Sequence, residues 1–105
     1  MTLAPKDQMA LEEWTQEGAF VCADGRAVRC YDDVVLSRSI PVEVVGGDFV
    51  GDAPAGTVGT VLFYSKGPVG VAQLELKIES NPMIIAHEEL SRLSLHMTNE
   101  EKYPR

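Results

Sequence analysis

The side chains best suited to acid–base chemistry stand together at His87-Glu88-Glu89, where an imidazole has two carboxylates next to it in the chain. An imidazole titrates near neutral pH and a neighbouring acid can orient it, so this cluster is the candidate for proton transfer; the plainer reading is a charged surface turn. Further acids stand in adjacent pairs at Glu12-Glu13, Asp32-Asp33 and Glu100-Glu101. Consecutive side chains on a strand point to opposite faces, so these pairs do not converge as catalytic carboxylates must, and they read as solvated edges. Ser37, Ser39, Ser65, Ser80, Ser91 and Ser94 have no nucleophile-elbow setting around them. No catalytic residue is assigned.

The two cysteines, Cys22 and Cys30, are too far apart in sequence to match the close pairs that hold zinc or run thiol redox chemistry. Reduced thiols are expected, although a hairpin between them could bring them face to face as a disulfide. His87 and His96 lack thiol or carboxylate partners at ligand spacing. No metal site is therefore expected, and nothing implies a cofactor.

Positioning these residues falls to a chain of 105 residues, the length of one domain with one modest core. Its net charge of −7 opposes the field of a phosphate backbone, and the nearest approach to a basic patch is Arg26 with Arg29. Nucleic acid is thus not an expected partner. No window supplies the roughly 18 continuous apolar residues of a membrane helix. Lys6, Asp7, Glu12 and Glu13 also interrupt any signal-peptide pattern, so a cytoplasmic location without membrane contact is expected.

The pattern divides into three parts. Residues 1–31 read as an extension: a helix begun by Pro5, with Met9, Ala10, Leu11 and Trp14 as its apolar stripe and Gly18 as its stop, then a hairpin turning at Asp24-Gly25. Leu11 and Trp14 either cover an open barrel end or contact another subunit of a homo-oligomer. Residues 32–97 read as a run of short strands. The first, residues 33–37, stops before Pro41, and a long loop follows over residues 42–55 with a type I turn at Ala53-Pro54-Ala55-Gly56. Strand residues 57–64 carry Gly59, which allows either a bend or the close approach of another strand. Residues 72–78 alternate without error, Ala72, Leu74, Leu76 and Ile78 inward against Gln73, Glu75 and Lys77 outward. A short strand at residues 83–86, a helical turn over residues 87–92 and a last strand near residues 93–97 complete the series. Residues 98–105 read as a polar, mobile tail.

This succession, with Gly56-Thr57-Val58-Gly59-Thr60-Val61 before the alternating strand, resembles SH3-like small β-barrels, in particular small uncharacterised bacterial proteins with a Gly-x-x-Gly-Thr-Val strand. The resemblance covers residues 32–96 and implies a mainly β fold, a five-stranded SH3-like barrel with an added N-terminal helix and hairpin. A looser resemblance links it to the plasmid-borne, trimethoprim-insensitive dihydrofolate reductases, small barrels whose Val-Gln-Ile-Tyr stretch touches cofactor and substrate around a shared pore. Met83-Ile84-Ile85-Ala86 stands at that place here and has neither the glutamine nor the tyrosine.

The function expected is therefore a binding or interaction module for a protein or small-molecule ligand. Its alternative is a small oligomeric enzyme whose site forms at the subunit interface. Mapping onto the barrel puts Phe49, Tyr64, Lys66, His87 and Glu88 around the candidate ligand surface, with Leu11 and Trp14 as candidate oligomer contacts.

Overall fold

The computed structural model describes residues 14–44, 49–65, 70–76 and 83–102. Among the described residues ten strands follow one another: β1 (Trp14–Thr15), β2 (Phe20–Val21), β3 (Ala27–Val28), β4 (Asp33–Leu36), β5 (Ile40–Val44), β6 (Phe49–Ala53), β7 (Val58–Ser65), β8 (Val71–Leu76), β9 (Ile84–Glu89) and β10 (Leu93–Met97). A 3-10 turn (Leu90–Arg92) separates the last two strands, and a short helix, α1 (Asn99–Lys102), ends the described chain. Eight strands form one antiparallel sheet in the order β10-β4-β7-β8-β9-β5-β6, with β1 added beside β7, and this sheet curls into a half-barrel.

The inner wall follows from strand alternation. In β8 the side chains of Ala72, Leu74 and Leu76 are buried and those of Gln73 and Glu75 lie half-buried on the other face, as the period of two demands. Val34, Leu36, Val61, Leu74 and Leu93 close over one another in a single core. Burying each of these against water stabilises by about 1.5–3 kcal/mol before entropy is counted. Gly59 permits a close strand contact: a Cβ there would lie 3.0 Å from Leu76 Cδ2 and 3.3 Å from Leu74 Cβ. Of the two roles expected of this glycine, the close approach is present.

Several local expectations are corrected. Trp14 belongs to a strand, not a helix, because Trp14 and Thr15 pair with Ser65 and Tyr64 across β7; the remainder of the expected helix, including Leu11, lies outside the described residues. The loop expected after β4 is largely a hairpin, β5 with β6, and Pro41 sits inside β5. That is tolerated because β5 meets β9 only at Glu43 and Val44, so Pro41 lies where no second neighbour needs its missing N–H. The turn into β7 lies one residue later than expected, closed by the Thr57 N–H donating to the Pro54 carbonyl at 3.2 Å. Strand β9 runs on through His87, Glu88 and Glu89, leaving only three residues to the helical turn.

The hairpin of β2 and β3 turns at Asp24-Gly25 as expected, but through a three-residue loop. The Cys22 N–H donates to the Arg26 carbonyl, the Gly25 N–H donates to the Cys22 carbonyl, and Gly25 takes the left-handed φ of 79° that glycine allows. With Cys22 opposite Arg26, and Phe20 opposite Val28, the two thiols stand at opposite ends of the hairpin and remain free. The loop has a further task. Its Ala23 N–H donates to the Leu93 carbonyl, and Asp24 Oδ2 accepts from the Leu95 N–H, so polar groups along β10 at the end of the sheet are satisfied.

The segment expected as a tail is instead partly folded. Thr98 and Glu101 form a reciprocal capping box: Thr98 Oγ1 accepts the Glu101 N–H, and Glu101 Oε1 accepts the Thr98 N–H. Helix α1 is then tied to the barrel by the Asn99 N–H donating to Asp32 and by Lys102 Nζ donating to the Tyr31 carbonyl and to Asp33.

Candidate functional site

Alternation along β9 separates the cluster that the chain places side by side. Ile84, Ala86 and Glu88 face the core, whereas His87 and Glu89 face the opposite side. Glu88 is wholly buried and is held by Arg38, whose Nε and Nη2 each donate to one carboxylate oxygen at 2.9 Å. Glu88 Oε1 accepts the Glu89 N–H as well. These bonds hold the Arg38 proton more firmly than usual. Glu89 forms its own ion pair with Arg92 at 2.8 Å. The triplet is therefore not one proton-transfer site.

Asp32 and Asp33 are buried too, against the expectation of a solvated edge. Asp33 accepts from Thr60 Oγ1 at 2.6 Å and from Lys102 Nζ at 3.0 Å, while Asp32 accepts the Arg29 and Asn99 backbone N–H groups. Their burial is possible because every carboxylate has donors supplied to it. An open cleft of about 450 Å³ lies over Asp32, floored by it and Cys30 and walled by Arg29, Thr98, Asn99 and Glu100. Burial and then the negative charge of Asp32 push the Cys30 thiol up, and burial with Asp24 and Asp32 pushes Cys22 up to about 11. Thiols so protonated are poor nucleophiles and poor metal ligands. Among the described residues no group of three or more His, Cys, Asp or Glu is placed to hold a metal ion.

Another surface gathers aromatic side chains. The β1–β7 register puts Trp14 opposite Ser65 and Thr15 opposite Tyr64, and Gln16 follows directly after β1. Trp14 and Phe63 rings meet at 5.5 Å between centroids, a tilted contact. Gln16 Nε2 donates to the Leu62 carbonyl at 3.0 Å and to the Tyr31 hydroxyl at 2.9 Å, which fixes the Tyr31 ring beside them. Trp14 is 49% exposed and Tyr31 48%. Phe63 in turn stands opposite Gln73, and Gln73 opposite His87, so the face continues across β8 to β9.

Tyr31 takes this place at an expense in backbone strain. Among the described residues it is the non-glycine residue with a left-handed φ, 74°, a conformation that costs an L-residue about 1–2 kcal/mol. The Tyr31 N–H donates to the Val61 carbonyl at 2.7 Å and Lys102 grips the Tyr31 carbonyl, so both neighbouring elements hold the bend. Strain of this kind is a pointer to function because the half-exposed ring contributes little to the core.

Of the residues expected at the ligand surface, His87 lies on this outward face and Trp14, expected as an oligomer contact, lies there with it. Tyr64 and Glu88 do not. Both point inward, in one row through Ala72; Tyr64 packs on Phe20 at 5.2 Å and its hydroxyl donates to the Glu17 carbonyl. Lys66 and Leu11, and the side chain of Phe49, lie outside the described residues. Gln16, Tyr31 and Phe63 were not singled out from sequence, since their meeting depends on a bulge between Val61 and Phe63 and on the Tyr31 bend. No helix among the described residues is long and apolar enough to cross a membrane. No family model, curated protein or solved structure matches this chain.

Proposed function

We propose that this chain is a non-catalytic binding module on an SH3-like barrel, meeting a protein partner through the face of Trp14, Gln16, Tyr31 and Phe63. The SH3-like reading is supported by the succession β4, β7, β8, β9 and β10, with a long hairpin after the first strand and a 3-10 turn before the last. The binding reading rests on one observation: a strained Tyr31 whose half-exposed ring is fixed by Gln16 next to an exposed Trp14. Rigid, amphipathic aromatic rings are the side chains that anchor interfaces, because they bury much area and lose little freedom. Against a reactive site stands the saturation of Asp32, Asp33 and Glu88 by internal donors.

The test compares proteins retained from a cell extract by the immobilised wild-type chain and by Tyr31→Gly, which removes the ring and relaxes the bend. A protein retained by the first and lost from the second is expected. Identical sets would overturn the assignment of this face. A strong rise in melting temperature with pterins or nucleotides would instead favour the oligomeric enzyme.

A further inference from the structure

We infer that the partner presents a basic polypeptide segment whose arginine or lysine cations seat on the Trp14 and Tyr31 rings; the inference rests on the docking face proposed above. Two features of the molecule point to it. The first is the nature of the face: the faces of indole and phenol rings carry negative potential and attract cations within about 6 Å of the ring centre. The second is charge. The chain carries 16 acids against 9 basic residues. Of the five cations among the described residues, Arg38, Arg92 and Lys102 are already engaged by Glu88, Glu89 and Asp33.

Of the charges beside the rings, Lys102 at the Tyr31 carbonyl is offset by Asp33, 3.0 Å from its ammonium. Exposed Glu17 follows Gln16, and Glu75 shares the outward face of β8 with Gln73, the residue opposite Phe63. A basic segment would be drawn in by the net field and would lose little on desolvation there, whereas an acidic one would meet repulsion. The polar cleft over Asp32 offers no such preference, because Arg29 and Glu100 oppose each other at its walls and its buried acid is occupied.

The probe is a fluorescently labelled peptide alternating arginine with glycine, followed by anisotropy against the wild-type chain, Tyr31→Gly and Trp14→Leu. All three proteins have the same net charge, so attraction to the chain as a whole is held constant. Saturable binding is expected, weakened about five-fold by Tyr31→Gly and about ten-fold by Trp14→Leu, with quenching of the sole tryptophan in the wild type. Far-ultraviolet circular dichroism of each variant checks that the sheet is intact. Equal affinity for the three proteins would overturn the inference. So would a neutral, leucine-rich peptide that bound more tightly with the same dependence on Trp14, a result that would leave the docking face standing and reject only the basic partner.

Discussion

Replacing Arg38 by alanine should leave Glu88 as a charge without its cation inside the barrel. Glu88 is fully buried and receives both guanidinium bonds, along with the Glu89 N–H. Removing one member of a buried ion pair typically costs about 3–5 kcal/mol. Here the loss is discounted, because the Arg38 side chain is 43% exposed and water can enter where it leaves. The expected destabilisation is about 2–3 kcal/mol, a fall in melting temperature on the order of 10–20 °C for a domain of this size. Glu88→Gln should lose less, since the amide oxygen can still accept the Glu89 N–H. The double variant Arg38→Met with Glu88→Leu removes both charges together and should recover most of the loss, because an apolar pair of similar volume avoids burying an ion. Urea unfolding of the four proteins measures each of these differences. If Arg38→Ala lay within about 0.5 kcal/mol of the wild type, the range of ordinary surface changes, the pair would be a surface ornament and the reasoning would fail.

Gly59→Ala should destabilise by about 1–3 kcal/mol, because its methyl group would press on Leu76 and Leu74 between two paired strands; a melting temperature equal to the wild type would contradict the close packing. At pH 8 the Cys22 thiol, pushed up to about 11, should react with a disulfide reagent at least about a hundred-fold more slowly in the folded chain than in urea, and rapid native labelling would refute its burial. Hydrogen bonds from the Thr98 backbone and hydroxyl hold the Glu101 carboxyl below its usual range. Its stabilising effect on α1 is accordingly complete above the unfolded glutamate value and disappears as pH falls through the lowered folded one. Amide exchange at Thr98 and Asn99 should accelerate over that acid window, and a rate that merely follows the intrinsic pH dependence would oppose the capping assignment.

What could be read from the chain was whatever depended on neighbours in sequence. The alternation from Ala72 to Leu76, the β-branched run through β7 and the glycine of the β2–β3 hairpin each carry their own signal, and each stands in the fold as expected. The capping box was equally local, with Thr98 and Glu101 three residues apart, and could have been found by the same means. Pairs distant in sequence were not legible. Glu88 looks like one of many surface acids until Arg38, fifty residues earlier, is placed over it. Trp14 reads as part of a helical stripe until β7 offers it a strand to join, and tertiary pairing then overrides the local preference.

The same distinction separates the candidate surface from the acids. Adjacent carboxylates are conspicuous in a sequence, yet on strands their neighbours decide their fate: Glu88 and His87 go to opposite faces, and Asp32 and Asp33 serve the docking of α1. The aromatic face is assembled from three separate stretches, Trp14 with Gln16, Tyr31, and Phe63, none notable alone. What joins them is a glutamine side chain with two acceptors and a tyrosine held in a conformation its own backbone disfavours. A folded chain retains such strain only where surrounding bonds enforce it, and here the Val61 carbonyl and Lys102 both do. The helix that the acids anchor thus helps to hold the Tyr31 bend, so loosening α1 at low pH should also loosen the ring of the proposed docking face.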